Sequence, residues 1–507
     1  MVVEPMAVEV DRFDQGALGR GAALASLLGD WTSGPGPLYR KLADALARAV
    51  REGALRAGDR LPAERELAGV LAVSRATVVG AYDELRGREV IERRQGSGTR
   101  ISRATRAPLS DGRVRGGGAG TIFQRLIDGP GPLISLACAA DRGGHEVTEA
   151  LQDVLSLDMD ALLGDPGYHP RGLPVLREAI AEHYTAHGLP TCADQILVTT
   201  GAHQALVVIA EVYLRKAATV VVEAPSWPAC LDVFRSASAE LVPVPMDDEG
   251  IEVRALRAAL VEHAPALLYV MPSYHNPTGV LMSEMRRRQV VELAARYDVP
   301  ILEDNAYAGM GLSDNALETP APLATVAGDE VESVMVESLG KAVWGGLRIG
   351  WVRGPVEVIE RCARRKALAD LGSPVIDQAV AARLVPRLDE LARNRSAGQR
   401  ERCTALEELL RQRLPDWRWR RPDGGSSLWV ELPDTNADVF AQLALRHGVE
   451  VIPGSTMDHT GGHENFLRIP FTHSQDVLEE LVQRLCRAWA ELRRHGPQDS
   501  APLRPII

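Results

Sequence analysis

Apolar positions in the first hundred residues follow helical spacing and then give way to short alternating runs. Leu38, Leu42, Leu46 and Val50 recur every four residues, which predicts an amphipathic helix from Leu38. Glycines and turn residues over 53–59 close it. Leu61-Pro62-Ala63-Glu64 carries start signals: a proline in the first turn, then an acid at the positive end of the helix dipole. A short second helix then runs to about Leu71, and Ala72-Val73 make a tight turn. Ser74 is a good N-cap for a third helix, in which Val78, Ala81, Tyr82 and Leu85 share one face. Residues 90–94 and 99–101 flank Gln95-Gly96-Ser97-Gly98 and read as two short strands around a glycine-rich turn. Upstream, Ser33-Gly34-Pro35-Gly36-Pro37 breaks any helix, and 22–31 reads as a short amphipathic piece.

A second pattern fills most of the remaining chain. Apolar runs at 195–199, 219–223, 266–271, 299–303, 333–336 and 347–352 read as short buried strands, with helical stretches such as 202–215 and 283–297 between several of them. This alternation predicts an α/β unit with a mainly parallel sheet, whose ligands sit beyond the carboxyl ends of the strands. Between the two patterns, 102–130 is basic, glycine-rich and poor in apolar residues, which is linker composition. The expected division is therefore an extension at 1–37, a small unit at 38–101, a linker at 102–130, a large unit at 131–495 and a disordered tail at 496–507.

Composition sharpens this division. The 507 residues carry a formal charge of −11, with 45% hydrophobic and 25% charged residues, ordinary for a globular protein. Residues 38–101 nevertheless hold 13 Lys+Arg against 9 Asp+Glu, a net of +4, which leaves −15 for the remainder. A small basic unit on a large acidic body points to a nucleic-acid partner for the small unit alone. Apolar runs of 18 or more residues are lacking, which excludes a membrane-spanning helix. The acidic N-terminus lacks the features of a secretory signal. The six cysteines fall into no metal-binding spacing and read as reduced thiols, so the expected compartment is the cytoplasm and no metal is expected. Lysine occurs only four times, at 41, 216, 341 and 366, against 53 arginines. Each lysine therefore invites a chemical question.

The three helices and two strands form the pattern of a winged helix-turn-helix. The stretch LPAERELAGVLAVSRATV…AYDELRGREVIERRQGSGT resembles the DNA-binding domain of the GntR family of bacterial transcription regulators. Arg75 and Thr77 lie on the first turn of the third helix, the end that such a helix inserts into the major groove. Arginine can bridge guanine O6 and N7, and threonine can reach a phosphate or a thymine methyl. Ser74 precedes them as the cap. Arg65 is placed to hold the DNA backbone, while Arg93, Arg94 and the Gly96-Ser97 tip can approach the minor groove.

The large unit has its own ordered signals at the strand ends: Thr200-Gly201-Ala202-His203, Pro225-Ser226-Trp227, His275-Asn276-Pro277-Thr278-Gly279, Asp304-Asn305-Ala306-Tyr307, and Ser338-Leu339-Gly340-Lys341 with Arg348 seven residues on. Their order resembles fold-type I aminotransferases, which use pyridoxal phosphate. The resemblance implies that Lys341 is the Schiff-base lysine, that Asp304 faces the pyridine nitrogen, and that Tyr307 and Asn276 bond the ring hydroxylate. Trp227 would stack on the ring, and Gly201, Ala202, His203, Ser338 and Arg348 would surround the phosphate. Tyr168 would reach the partner subunit's phosphate, and Arg468, in Asn465-Phe466-Leu467-Arg468, would clamp an effector or substrate carboxylate. Chemically, a lysine amine with a carboxylate partner is what this cofactor requires. His203 stands where glutamine is common and Gly340 where serine is frequent. These departures put substrate identity and turnover in doubt while leaving the required chemical groups in place.

The combination is similar to the MocR/GabR subfamily of GntR regulators. This resemblance implies a homodimer in which each head rests on the other subunit's large domain, double-stranded operator DNA as partner, and an amino-acid-like effector, or pyridoxal phosphate itself, as the signal. The competing expectation is an active aminotransferase that carries a DNA-binding head, since its catalytic groups look complete. Under the regulator reading, any transaminase activity is expected to be secondary to regulation.

Overall fold

The computed structural model describes residues 24–25, 27–32, 36–51, 54–94, 98–102, 114, 117–129, 131–313, 319–458 and 460–495. In the head, helices Leu38–Arg51, Glu64–Val70 and Arg75–Gly87 precede β1 (Ile91–Arg94) and β2 (Gly98–Ile101), an antiparallel pair with Arg93 opposite Thr99. Leu42, Leu46, Leu67, Val78 and Leu85 are fully buried in one core. Leu38 is exposed instead, so the apolar face begins one turn later than the four-residue spacing predicts. The Ser74 hydroxyl accepts the Thr77 N–H at 3.1 Å, the expected N-cap. Leu24, Ala25, Leu28 and Trp31 close the same core, so the end of the extension packs with the head.

In the large unit β3 (Ile134–Ser135) comes first. Eight strands then form the central sheet: β4 (Ile196–Thr199), β5 (Thr219–Ala224), β6 (Glu240–Asp247), β7 (Gly250–Ile251), β8 (Leu267–Val270), β9 (Ile301–Asp304), β10 (Ser333–Ser338) and β11 (Gly350–Arg353). Their order is β4-β11-β10-β9-β8-β5-β6-β7. The pairs from β10 through β9, β8 and β5 to β6 are parallel. β11 runs antiparallel to both β10 and β4, and β7 antiparallel to β6, so the sheet is mixed with a parallel centre. β11 reverses because only two short helical turns, Gly340–Trp344 and Gly345–Leu347, separate it from β10, too short a connection for the crossover that a parallel neighbour needs. β6 escapes the apolar-run reading because it is largely unburied and carries Pro243 and Pro245, as befits a strand near the sheet edge.

A smaller subdomain completes the chain. β12 (Arg418–Trp419), β13 (Ser427–Glu431), β15 (Ile452–Pro453) and β16 (Phe466–Pro470) form an antiparallel sheet in the order β12-β13-β16-β15, while β14 (Val449–Glu450) pairs with β3. Helices Leu388–Arg413, Ala437–Arg446 and Gln475–His495 cover it.

Two features depart from the sequence reading. The stretch with linker composition contains a helix, Gly120–Asp128. Its N-terminus is capped from outside: Asp232 accepts the N–H groups of Gly118 and Ala119 at 3.1 and 2.9 Å. Arg125 on this helix pairs with Glu450 at 2.8 Å. Secondly, the head leans on its own chain. Ala72 packs into the apolar cluster that contains Phe440 and Leu443, and helix Glu64–Val70 contacts helix Ala437–Arg446. Residues 1–23, 103–113 and 496–507 of the expected extension, linker and tail lie outside the described residues.

Candidate functional site

On the head, Arg65, Arg75 and Arg93 are exposed. Arg75 meets Glu64 at 3.5 Å, a long contact between an exposed guanidinium and a half-buried carboxylate. The Thr77 hydroxyl lies 2.9 Å from the Ser74 hydroxyl, so Ser74 and Thr77 together fix the first turn of the recognition helix. Gly96, Ser97 and the Arg94 side chain lie outside the described residues. Sequence reading misses Arg60, which bridges to Arg100 at the base of the wing and sets its guanidinium beside Gly98. Only the strand pairing, and not the local pattern, brings it there.

The four lysines separate cleanly. Lys41 donates to the Thr32 carbonyl at 2.8 Å, Lys366 is fully buried against Asp370 at 2.7 Å, and Lys216 is exposed. Lys341 lies just beyond the end of β10, where its Nζ donates to the Ala139 carbonyl at 2.6 Å and sits 5.1 Å from the centre of the Tyr307 ring. The lysine and tyrosine of the expected constellation are thus neighbours.

Asp304 ends β9 and is buried. Tyr269 donates to its Oδ2 at 2.9 Å and the Ala306 N–H to its Oδ1 at 3.0 Å. Burial raises its pKa, and these two donors and the Lys341 cation draw it back. The Tyr307 hydroxyl receives the Ser426 hydroxyl at 3.1 Å. Tyr269 and Ser426 are functional neighbours that the sequence hides. A tyrosine inside an apolar strand reads as core, and Ser426 is 119 residues from its partner.

Gly201, at φ 83°, leads into helix Ala202–Tyr213 and presents that helix's first N–H groups. Arg348, at φ 52°, donates to the Thr200 carbonyl at 2.9 Å. A Cβ on Gly201 would stand 3.0 Å from the Arg348 guanidinium, and a Cβ on Gly350 would stand 2.7 Å from the Gly201 carbonyl carbon. The glycines therefore keep open a cradle of helix N–H groups beside an arginine, the arrangement that binds a phosphate. Ser338 accepts the Gly340 N–H at 3.3 Å. His203 is exposed on the first helical turn, with its ring centre 5.8 Å from that of Phe123 on the linker helix. Asn276 is buried with its Oδ1 unpartnered among the described residues. Cradle, orphaned amide, amine and buried acid together fit pyridoxal phosphate. Tyr168 is 70% exposed.

Arg468, on β16, is 1% exposed. It donates to the carbonyls of Leu136 and Ala137 at 2.9 and 2.8 Å, and its guanidinium lies 4.7 Å over the Trp227 ring. Among the described residues it has no carboxylate partner, and its Nε is unpaired. Burial depresses its pKa.

Comparisons with known proteins match two stretches of the chain. Residues 142–485 match the family described as aminotransferase class I and II, and residues 38–101 match the bacterial regulatory proteins of the gntR family. The chain is 31% identical to the uncharacterized HTH-type transcriptional regulator YisV of Bacillus subtilis, over 86% of this chain and 93% of that one. It is 27% identical to the uncharacterized HTH-type regulator YjiR of Escherichia coli, over 89% and 99%. Among solved structures, LysN, the α-aminoadipate aminotransferase of Thermus thermophilus in complex with N-(5'-phosphopyridoxyl)-L-leucine, aligns with TM-score 0.67 and 27% identity, covering 76% of this chain and 97% of that one. The kynurenine aminotransferase of Pyrococcus horikoshii aligns with TM-score 0.66 and 28% identity, over 73% and 93%. With a gntR-type DNA-binding head and a class I aminotransferase body that takes pyridoxal phosphate, the chain belongs to the MocR/GabR subfamily of GntR transcription regulators.

Proposed function

We propose that this regulator senses a small amine bearing a carboxylate, recognised at the cofactor and read out at the DNA. The observation that carries this reading is Arg468: a buried guanidinium over an aromatic face, without a carboxylate partner among the described residues. Burying an unpaired cation is costly, and an incoming carboxylate relieves that cost through two parallel hydrogen bonds.

Pyridoxal phosphate supplies an aldehyde that accepts a primary amine and a ring that draws electrons from it. This chain's residues would hold and tune it. Lys341 offers the amine. Asp304, whose carboxylate form is favoured by the Tyr269 and Ala306 donors against the cost of burial, would face the ring nitrogen. Tyr307 and Asn276 would bond the ring hydroxylate, and Trp227 would cover one face and exclude water. Gly201, Ala202, Ser338 and Arg348 would take the phosphate. On the head, Arg75 and Thr77 would read bases, Arg65 and Arg60 would grip the backbone, and Arg93 would approach the minor groove.

A homodimer belongs to the same reading. Leu155, Leu157, Leu163, Tyr168, Leu368 and Leu371 are all exposed, apolar side chains that a second subunit could cover. A partner covering it would receive Tyr168 near its cofactor. The cytoplasm is the compartment in which such a protein meets operator DNA.

The test is one titration with two readouts. Holoprotein is mixed with candidate amino acids while the cofactor's visible absorbance and the affinity for upstream DNA are followed together. Effector sensing requires both to move, and Arg468→Gln to weaken the response at least about tenfold, the loss of a charge-assisted bidentate contact. An amino acid that shifts the spectrum and leaves DNA affinity unchanged defeats the sensing role. The second reading, an active aminotransferase, draws on Lys341, Asp304 and Tyr307 being present together. Rapid keto-acid formation from an amino donor, with DNA affinity indifferent to it, would favour that reading.

A further inference from the structure

The cysteine spacing predicts no metal, but three other side chains converge away from the cofactor. His183 and His187 lie one turn apart at the end of helix Pro174–Ala186, and Asp389 lies on the first turn of helix Leu388–Arg413. One ligand atom from each falls within 4.8 Å of the other two. We propose that His183, His187 and Asp389 form a binding site for a divalent transition ion of the Zn2+ and Co2+ class.

The hydrogen bonding prepares His187 for this role. Its Nδ1 donates to the His183 carbonyl at 2.7 Å, which fixes the tautomer and leaves the lone pair on Nε2. A ligating histidine characteristically ties its other ring nitrogen to a carbonyl or carboxylate in this way. Nε2 lies 2.9 Å from Asp389 Oδ2, so a lone pair and a carboxylate face each other and require a cation, a proton or a metal, between them. The two imidazole rings lie on the same side of the helix, with centres 4.4 Å apart. Two donors on one tetrahedral Zn2+, with bonds of about 2.1 Å, stand about 3.4 Å apart. Closing the cluster to that size takes roughly an ångström of side-chain movement, within reach of the exposed His187 and Asp389. Two imidazoles and one carboxylate suit Zn2+ and Co2+ better than Ca2+ or Mg2+, which favour all-oxygen sites. The fourth position stays open to water.

The backbone around the cluster is packed into the core. Ile180, Tyr184, Val385, Leu388 and Leu391 belong to one buried core, so the two helices are already registered. Tyr184, next to His183, donates to Glu337 at 2.6 Å and receives the Trp351 indole N–H at 2.7 Å. Glu337 directly precedes Ser338 at the phosphate cradle. An ion here would pin two helices beside the floor of the cofactor site.

Full-length, tag-free, chelator-treated protein is titrated with Co2+ by visible absorption and with Zn2+ by calorimetry. The site predicts one ion per chain and Co2+ bands of tetrahedral intensity. Asp389→Asn and His187→Asn should each weaken Zn2+ at least about tenfold, with far-ultraviolet dichroism unchanged. Asp389 is exposed, so that variant decides the matter should His187→Asn fold poorly. Absence of saturable binding overturns the proposal. So does binding that survives both substitutions, which would assign the ion elsewhere, for instance to the exposed thiols Cys138 and Cys192.

Discussion

From the strand beside β9, the Tyr269 hydroxyl supports the acid that would face the cofactor's ring nitrogen. Tyr269→Phe leaves Asp304 Oδ2 without that donor, and a hydrogen bond to a charged group is worth about 1.5–3 kcal/mol. Cofactor affinity, measured by absorbance titration, is expected to fall by roughly one to two orders of magnitude. A second residue-scale consequence concerns Glu223, fully buried at the end of β5. Burial pushes its carboxyl up to about 8; the Met271 N–H draws it back, and the Asp304 carboxylate adds to the rise. Unfolded, the same carboxyl titrates near about 4.3. Between these values the unfolded chain releases a proton that the folded chain keeps, so this group's contribution is full below the lower value and is lost as pH rises to the upper one. Urea midpoints should therefore decline as pH rises from about 5 to about 8, with a slope that Glu223→Gln flattens. An unchanged slope in that variant contradicts the assignment. Of these residues the sequence reveals least about Tyr269, which reads as strand core, and most about Lys341. Lysine is so scarce in this chain that each one can be questioned in turn, and Lys41 and Lys366 have purely structural partners.

At the scale of elements, periodicity carries the head and the centre of the sheet. Helix starts at Glu64 and Arg75 follow from proline and serine signals, and six strands follow from apolar runs. Elements whose burial comes from distant partners stay hidden. Helix Gly120–Asp128 is capped by Asp232, more than a hundred residues away, so its local composition reads as linker. β6 near the sheet edge has too little buried surface to betray itself. Two substitutions probe the elements that hold the sites. Ser74→Ala removes the cap of the recognition helix, a loss of about 1 kcal/mol. Amide exchange over helix Arg75–Gly87 should quicken about fivefold, and DNA affinity should fall with it. Gly350→Ala forces a methyl against the Gly201 backbone and spreads the phosphate cradle. Its expected effect is at least about a tenfold loss of cofactor affinity, with little change in DNA binding.

Across the whole molecule, the helix after the head is tied at both ends to the body, by Asp232 at its start and by Glu450 through Arg125. Phe123 on the same helix sits against His203 at the phosphate end of the site. Asp232→Ala should therefore preserve the cofactor spectrum while blunting any effector-induced change in DNA affinity, which a paired absorbance and DNA titration would measure. The two deep cations of the site add a further consequence. Lys341 and Arg468 reach from different subdomains and moor the same short length of main chain, Leu136 to Ala139. That length runs straight on from β3, whose neighbour β14 carries Glu450. On the proposed sensing role, guests that engage both cations would cast this stretch adrift, and word of their arrival would reach the promoter-gripping end as a rope let go rather than a rope pulled taut.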